Sequence, residues 1–133
     1  MGENVKPVQQ HYDAFNRGDI DGLLEPFEAG IVFVEEPDLR PDAGTQSGVV
    51  AIRRFFEGMF EGAAKVNVEP REWIERGDKV IVRLRFFGRF EHTGIQGETE
   101  MVHVWTVRAG KIAHLHVYTS REQALAALGV DPR

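Results

Sequence analysis

The spacing of apolar positions changes partway along this chain. Over residues 5–17, Val8, Tyr12 and Phe15 recur at helical spacing, which predicts an amphipathic helix. Gly18 stops it, as glycine just past a helix end commonly does. Asp19 can cap a second short helix carrying Ile20, Leu23, Leu24 and Phe27, with Gly30 as its breaker. Residues 31–34 are apolar at every position and rich in β-branched side chains, so they read as a strand covered on both faces. Residues 37–48 are rich in Pro, Gly and Asp and read as a loop. Ser47 then caps a third helix with Val49, Ile52, Phe55, Phe56, Met59 and Phe60 on its apolar side.

Beyond the third helix the pattern becomes mostly strand. A strand over 66–75 ends in the turn signal Arg76-Gly77-Asp78. Over 79–90, Val80, Val82, Leu84 and Phe86 alternate with Arg83 and Arg85. Thr93-Gly94 begins the next turn, 96–107 is another strand, and Ala109-Gly110 turns the chain into 111–119. Ser120 with Gln123 three residues later marks a short last helix carrying Ala124, Leu125 and Leu128. Helices followed by consecutive hairpins predict an α+β fold: three N-terminal helices packed on a curved antiparallel sheet, then a short C-terminal helix. A curved sheet with helices on its concave side makes a cone, whose mouth suits a small molecule. Residues 1–133 read as a single domain.

Composition narrows the function classes. Net charge is −5 with the signs interleaved, and no basic stripe points to nucleic acid. The chain has no cysteine, which excludes disulfides and thiolate metal sites and fits a reducing cytoplasm. No basic-then-apolar leader pattern opens the sequence, and no apolar run is long enough to span a membrane. The expectation is therefore a cytoplasmic protein with no nucleic-acid or membrane partner.

Four segments carry a family likeness. Tyr12-Asp13-Ala14-Phe15-Asn16-Arg17-Gly18-Asp19 resembles the first-helix signature of NTF2-like proteins. Ser47-Gly48-Val49-Val50-Ala51-Ile52-Arg53-Arg54-Phe55-Phe56 resembles their third helix. Gly110-Lys111-Ile112 with Tyr118 resembles their last hairpin, and Ala124-Leu125-Ala126-Ala127-Leu128-Gly129 is similar to the tail of SnoaL-like members. The resemblance implies the NTF2-like cone and a homodimer packed through the outer sheet face. Among its branches, the ketosteroid isomerases offer the nearest local match. Val34-Glu35-Glu36-Pro37 resembles their Val-Glu-Asp-Pro stretch and puts Glu36 at the general-base position. His11 and His103 fall where they have oxyanion donors, and Phe56 falls where they have a site tyrosine. The acid/base aspartate of SnoaL cyclases is replaced here by Val117. The base is kept in type, while the other site residues are changed.

The residues themselves suggest the same candidates. Strand side chains alternate, so Val32, Val34 and Glu36 share one face while Ile31, Phe33 and Glu35 share the other. An apolar strand ending in two carboxylates directs one inward, and Glu36 is the expected base. The bland alternative leaves both in solvent before Pro37. His103 alternates with Met101 and Trp105 on one face, where it can contact a substrate oxygen near neutral pH or be satisfied within the core. His11 lies one turn before Phe15 and leans toward the pocket or the surface beside Asp13. Tyr12, Phe27, Phe56, Phe60, Trp73, Phe86, Trp105 and Val117 are the expected wall. His114-x-His116 lacks a carboxylate at matching spacing, so neither a metal nor any other cofactor is expected.

Two functions fit these residues. One is an isomerase or dehydratase acting on a small hydrophobic molecule, with Glu36 as base and His103 and His11 polarising an oxygen. The other is a non-catalytic binding or accessory dimer. The discriminator is whether Glu36 and His103 point into the same cavity; with Glu36 in solvent the enzyme reading loses its base.

Overall fold

The computed structural model describes residues 2–39, 43–90 and 96–129. Helix α1 (Val5–Asn16) buries Val5, Val8, Tyr12 and Phe15 along one stripe. It ends at Gly18, whose φ of 71° suits a residue without a side chain. The Asp19 carboxylate accepts from the Gly22 N–H and caps α2 (Ile20–Leu24). That helix is shorter than its apolar spacing predicts. Pro26 O accepts from Ile112 N–H at 2.8 Å, so the chain joins the sheet there. Phe27 and Gly30 therefore lie in strand β1 (Phe27–Glu35). A register shift between Phe27 and Val32 absorbs the irregularity around Gly30.

Part of the expected loop is strand β2 (Thr45–Ser47), paired antiparallel to β1. Ser47 ends this strand and does not cap the next helix. Gly48, at φ 88°, makes the corner, and its carbonyl accepts from Ile52 N–H at the start of α3 (Val49–Gly62). Then follow β3 (Ala63–Arg76), β4 (Lys79–Phe90), β5 (Gln96–Arg108), β6 (Lys111–Tyr118) and α4 (Arg121–Ala127). The Ser120 side chain accepts from Gln123 N–H and caps α4 as the sequence implies. The expected turn at Thr93-Gly94 lies outside the described residues.

The six strands form one sheet in the order β2-β1-β6-β5-β4-β3. Pairing is antiparallel except between β1 and β6, which run parallel. Two expectations are corrected by this topology. The sheet is mixed where an antiparallel one was expected, and β2, inside the expected loop, joins the predicted strand β1 between the second helix and the third. The chain enters the sheet at β1, crosses through α3 to the far edge at β3, and meanders back until β6 lies beside β1. Register shifts at the start of β3, between Ala63 and Lys65, and in its middle, between Pro70 and Glu72, bend the strand against β4.

The main core lies between the inner sheet face and helices α1, α2 and α3. It includes Tyr12, Phe15, Leu23, Phe56, Leu84, Trp105 and Leu115. A second, smaller core joins α4 to the outer face through Ile81, Val102, Val104, Tyr118, Ala124 and Leu125. Among the described residues no helix is long and apolar enough to cross a membrane.

Asn16, at the end of α1, fastens the helix to β3. Its amide donates to Val68 O at 3.0 Å and accepts from Val68 N at 2.8 Å, so one side chain replaces a strand neighbour. Asn16→Ala removes both bonds and leaves two backbone groups of Val68 without them. Urea denaturation is expected to show a loss of about 1–3 kcal/mol. An unchanged midpoint would mean the amide is not holding the helix to the sheet.

Candidate functional site

The sheet and helices enclose an apolar cavity of about 260 Å³. Strand parity decides which carboxylate reaches it. Ile31, Phe33 and Glu35 are buried on the inner face of β1, and Val32, Val34 and Glu36 alternate to the other. Glu35 is 8% exposed and lines the cavity. The expected base, Glu36, is corrected by this placement. It faces the outer side, accepts from Gln123 Nε2 at 3.3 Å, and pairs with His116 Nε2 at 2.9 Å. The sequence held one signal for Glu35. Its face-mates Ile31 and Phe33 are bulkier than Val32 and Val34, and the larger set fills the interior.

His11 and His103 line the same cavity. His11 Nδ1 lies 2.9 Å from Leu23 O. A carbonyl only accepts, so Nδ1 carries the proton and Nε2 keeps a lone pair. Burial pushes the His11 pKa down from 6.5 to about 4, opposed in part by the Leu23 bond. His11 therefore belongs to the interior rather than to the surface beside Asp13. Its ring stacks on Phe27, with centroids 5.0 Å apart.

Tyr12 connects α1 to β5. Its oxygen lies 2.9 Å from Trp105 Nε1 and 2.7 Å from His103 Nδ1. The indole N–H only donates, so the Tyr12 oxygen accepts it. The assignment that gives the buried hydroxyl proton a partner has Tyr12 donate to His103 Nδ1, which places the His103 proton on Nε2. Burial pushes the His103 pKa down to about 3, aided by charge on His11. Burial also holds the Tyr12 phenol well above its usual range, with the Trp105 bond opposing. His103 is thus a neutral donor at pH 7 and does not titrate near neutrality.

Of the expected wall, Tyr12, Phe56, Phe86 and Val117 line the cavity. Phe27 and Trp105 instead support the histidines from behind. Trp73 packs edge-on against Tyr12, and Phe60 packs against Phe15. The remaining wall includes Phe15, Phe33, Phe55, Met59, Val68, Met101 and Leu115, with Leu39, Gly97 and Thr99. Apolar periodicity marks these as buried, and only the packing separates cavity wall from core.

The outer face carries the other candidates. His116 stacks on Tyr118 with centroids 4.0 Å apart, and His114 lies 6.4 Å from His116. Burial first, and then positive charge on His116, lowers the His114 pKa. Tyr118 is buried in the cluster under α4. Arg83 and Arg85 are half-buried in ion pairs with Glu72, Glu100, Glu69 and Glu98.

The two inner histidines make stability depend on pH. Unfolded, each titrates near 6.5; folded, they titrate near 4 and near 3. Below about pH 6.5 the unfolded chain takes up protons that the folded chain refuses. Stability therefore falls with falling pH, by about 1.4 kcal/mol per pH unit per histidine, until each folded value is reached. Urea midpoints measured at about pH 7 and about pH 5 should differ more for the wild type than for His103→Gln. Equal slopes in the two proteins would contradict the burial of a neutral His103.

The comparisons with known proteins agree on the scaffold. No curated protein matches the chain. TerC co-crystallised with polyporic acid is 25% identical, covering 96% of this chain and 98% of that one, at a TM-score of 0.78. An NTF2-like protein from Burkholderia thailandensis E264 is 29% identical, with 96% and 98% covered and a TM-score of 0.79. One from Burkholderia xenovorans LB400 is also 29% identical, with 94% of each chain covered and a TM-score of 0.72. The model of the SnoaL-like domain matches residues 8–115, so this chain, with its helices and mixed sheet around an apolar cavity, belongs to the SnoaL-like family of NTF2-like proteins.

Proposed function

We propose that this protein catalyses proton transfer on a small hydrophobic molecule, with Glu35 as the base and the His103 Nε2–H as the group that holds the reacting oxygen. One observation carries this reading: Glu35, His103 and His11 all border a single apolar cavity. The Glu35 carboxylate removes a proton from the carbon next to a carbonyl. The electron pair moves onto the carbonyl oxygen, where the His103 Nε2–H stabilises the developing charge. Return of the proton from Glu35 to a different carbon completes an isomerisation. Loss of a hydroxyl from the β-carbon, with the proton passing from Glu35 to that oxygen, releases water and completes a dehydration. A neutral imidazole serves here because the oxygen needs a donor and not a transferred proton. The apolar wall keeps water from competing for these bonds. The relative crystallised with polyporic acid supports a small-molecule occupant for this fold.

A second reading, a pocket that binds without turnover, is favoured by the depressed histidine pKa values. Neutral rings offer hydrogen bonds more readily than protons. The two readings part at Glu35. In a screen of enones and hydroxyketones, Glu35→Gln should reduce turnover by about 10²- to 10⁴-fold, whereas Glu36→Gln should leave it near the wild-type rate. Full activity in Glu35→Gln would remove the proposed base.

Assembly as a homodimer through the outer sheet face belongs to the same proposal. The part of that face outside the α4 cluster carries the half-buried Val32, Val34, His114 and His116. Sedimentation equilibrium at micromolar concentration should give twice the chain mass; a monomer would reject this arrangement.

A further inference from the structure

Two histidines that line the cavity have ring nitrogens with opposite roles, and neither role depends on charge. His11 donates through Nδ1 to the Leu23 carbonyl, so its Nε2 can only accept. His103 receives the Tyr12 hydroxyl proton at Nδ1, the assignment that gives this buried proton an acceptor, so its Nε2 can only donate. Both rings lie within 6 Å, centroid to centroid, of the same two aromatic rings: Tyr12 at 5.7 Å from each, and Trp105 at 5.0 Å from His11 and 5.5 Å from His103. Both also border the one cavity. The hydrogen bonds that fix the tautomers are buried, so solvent does not reset them.

We propose that the cavity selects a mono- or bicyclic molecule bearing both a hydroxyl and a carbonyl, the hydroxyl donating to His11 Nε2 and the carbonyl accepting from His103 Nε2–H. This rests on reading the cavity as the ligand site, and it concerns recognition, not the base. A carbonyl cannot donate, so a simple ketone or a diketone leaves the His11 acceptor without a partner. A hydrocarbon leaves both nitrogens without one. The space of about 260 Å³ is small for a ligand site and limits the ring count. Phe15, Phe33, Phe56 and Phe86 border it, and aromatic walls favour an occupant with a ring of its own that can stack or meet them edge-on.

The experiment titrates the wild-type protein at pH 7 with four matched bicyclic probes by calorimetry: the hydroxytetralones as a set, tetralone, tetrahydronaphthol and tetralin. At least one hydroxytetralone should bind about tenfold or more tightly than tetralone and tetrahydronaphthol, since each of those lacks one of the two bonds. His11→Phe should erase the advantage over tetralone and keep that over tetrahydronaphthol; His103→Phe should do the reverse. Nitrogen-15 NMR of the unmodified protein reads the tautomers without any variant. His11 should be protonated at Nδ1 and His103 at Nε2. The proposal is overturned by equal binding of tetralin and the hydroxytetralones, by no binding of any hydroxytetralone, or by the same tautomer at both histidines. None of these results bears on whether Glu35 is the base. Conversely, an active Glu35→Gln would leave the binding preference intact.

Discussion

The Tyr12 hydroxyl sits between an indole N–H and an imidazole nitrogen, with one proton of its own to give. Trp105 and His103 project from the same face of β5, two residues apart, and Tyr12 reaches them from α1. Three buried polar groups are satisfied by two hydrogen bonds, which is why they persist in an otherwise apolar interior. The same two bonds hold α1 against the sheet. They also fix Nε2 as the His103 nitrogen that carries the proton. A leucine at position 12 would fill comparable space and leave both Trp105 and His103 with buried polar atoms to satisfy. Packing and chemistry are thus joined at one hydroxyl.

The adjacent carboxylates at the end of β1 illustrate how sharply a pleated strand divides labour. Glu35 and Glu36 differ by one position and lie on opposite sides of the sheet. Glu35 borders the cavity. Glu36 joins an outer polar cluster in which His116 and Gln123 bring β6 and α4 to the segment after β1. Thr119 extends it with a hydroxyl bond to Asp38 at 2.9 Å. The outer cluster therefore secures the strand end from which Glu35 projects inward. Ion pairs farther along that face, from Glu69 to Arg85 and from Glu72 to Arg83 and Arg121, are partly solvated and contribute little individually.

Much of the architecture was legible from local pattern. The α1 stripe, the Asp19 and Ser120 caps, the alternation of β4 and β5, and the turns at Gly77 and Gly110 all follow from short-range chemistry. The face shared by Met101, His103 and Trp105 followed from parity, and so did the separation of Glu35 from Glu36. Where the reading failed, a distant partner had overruled a local preference. Phe27 has helical spacing with Leu23 and Leu24, yet β6 pairs with it as strand. Ser47 has the sequence of a cap, yet β1 claims it as β2.

Sequence alone determined that the chain would fold as helices over a sheet, that β1 would offer one carboxylate to each face, and that His103 would share a face with Trp105. These depend on periods of two and 3.6 residues, which neighbouring positions carry. Only the tertiary structure decided that the inner carboxylate is Glu35, because the choice depends on which side of β1 the helices cover. Only it could set the histidine tautomers, because Leu23 O and the Tyr12 hydroxyl come from other elements. Parity is a property of one strand, whereas the identity of the inside is a property of everything packed against it.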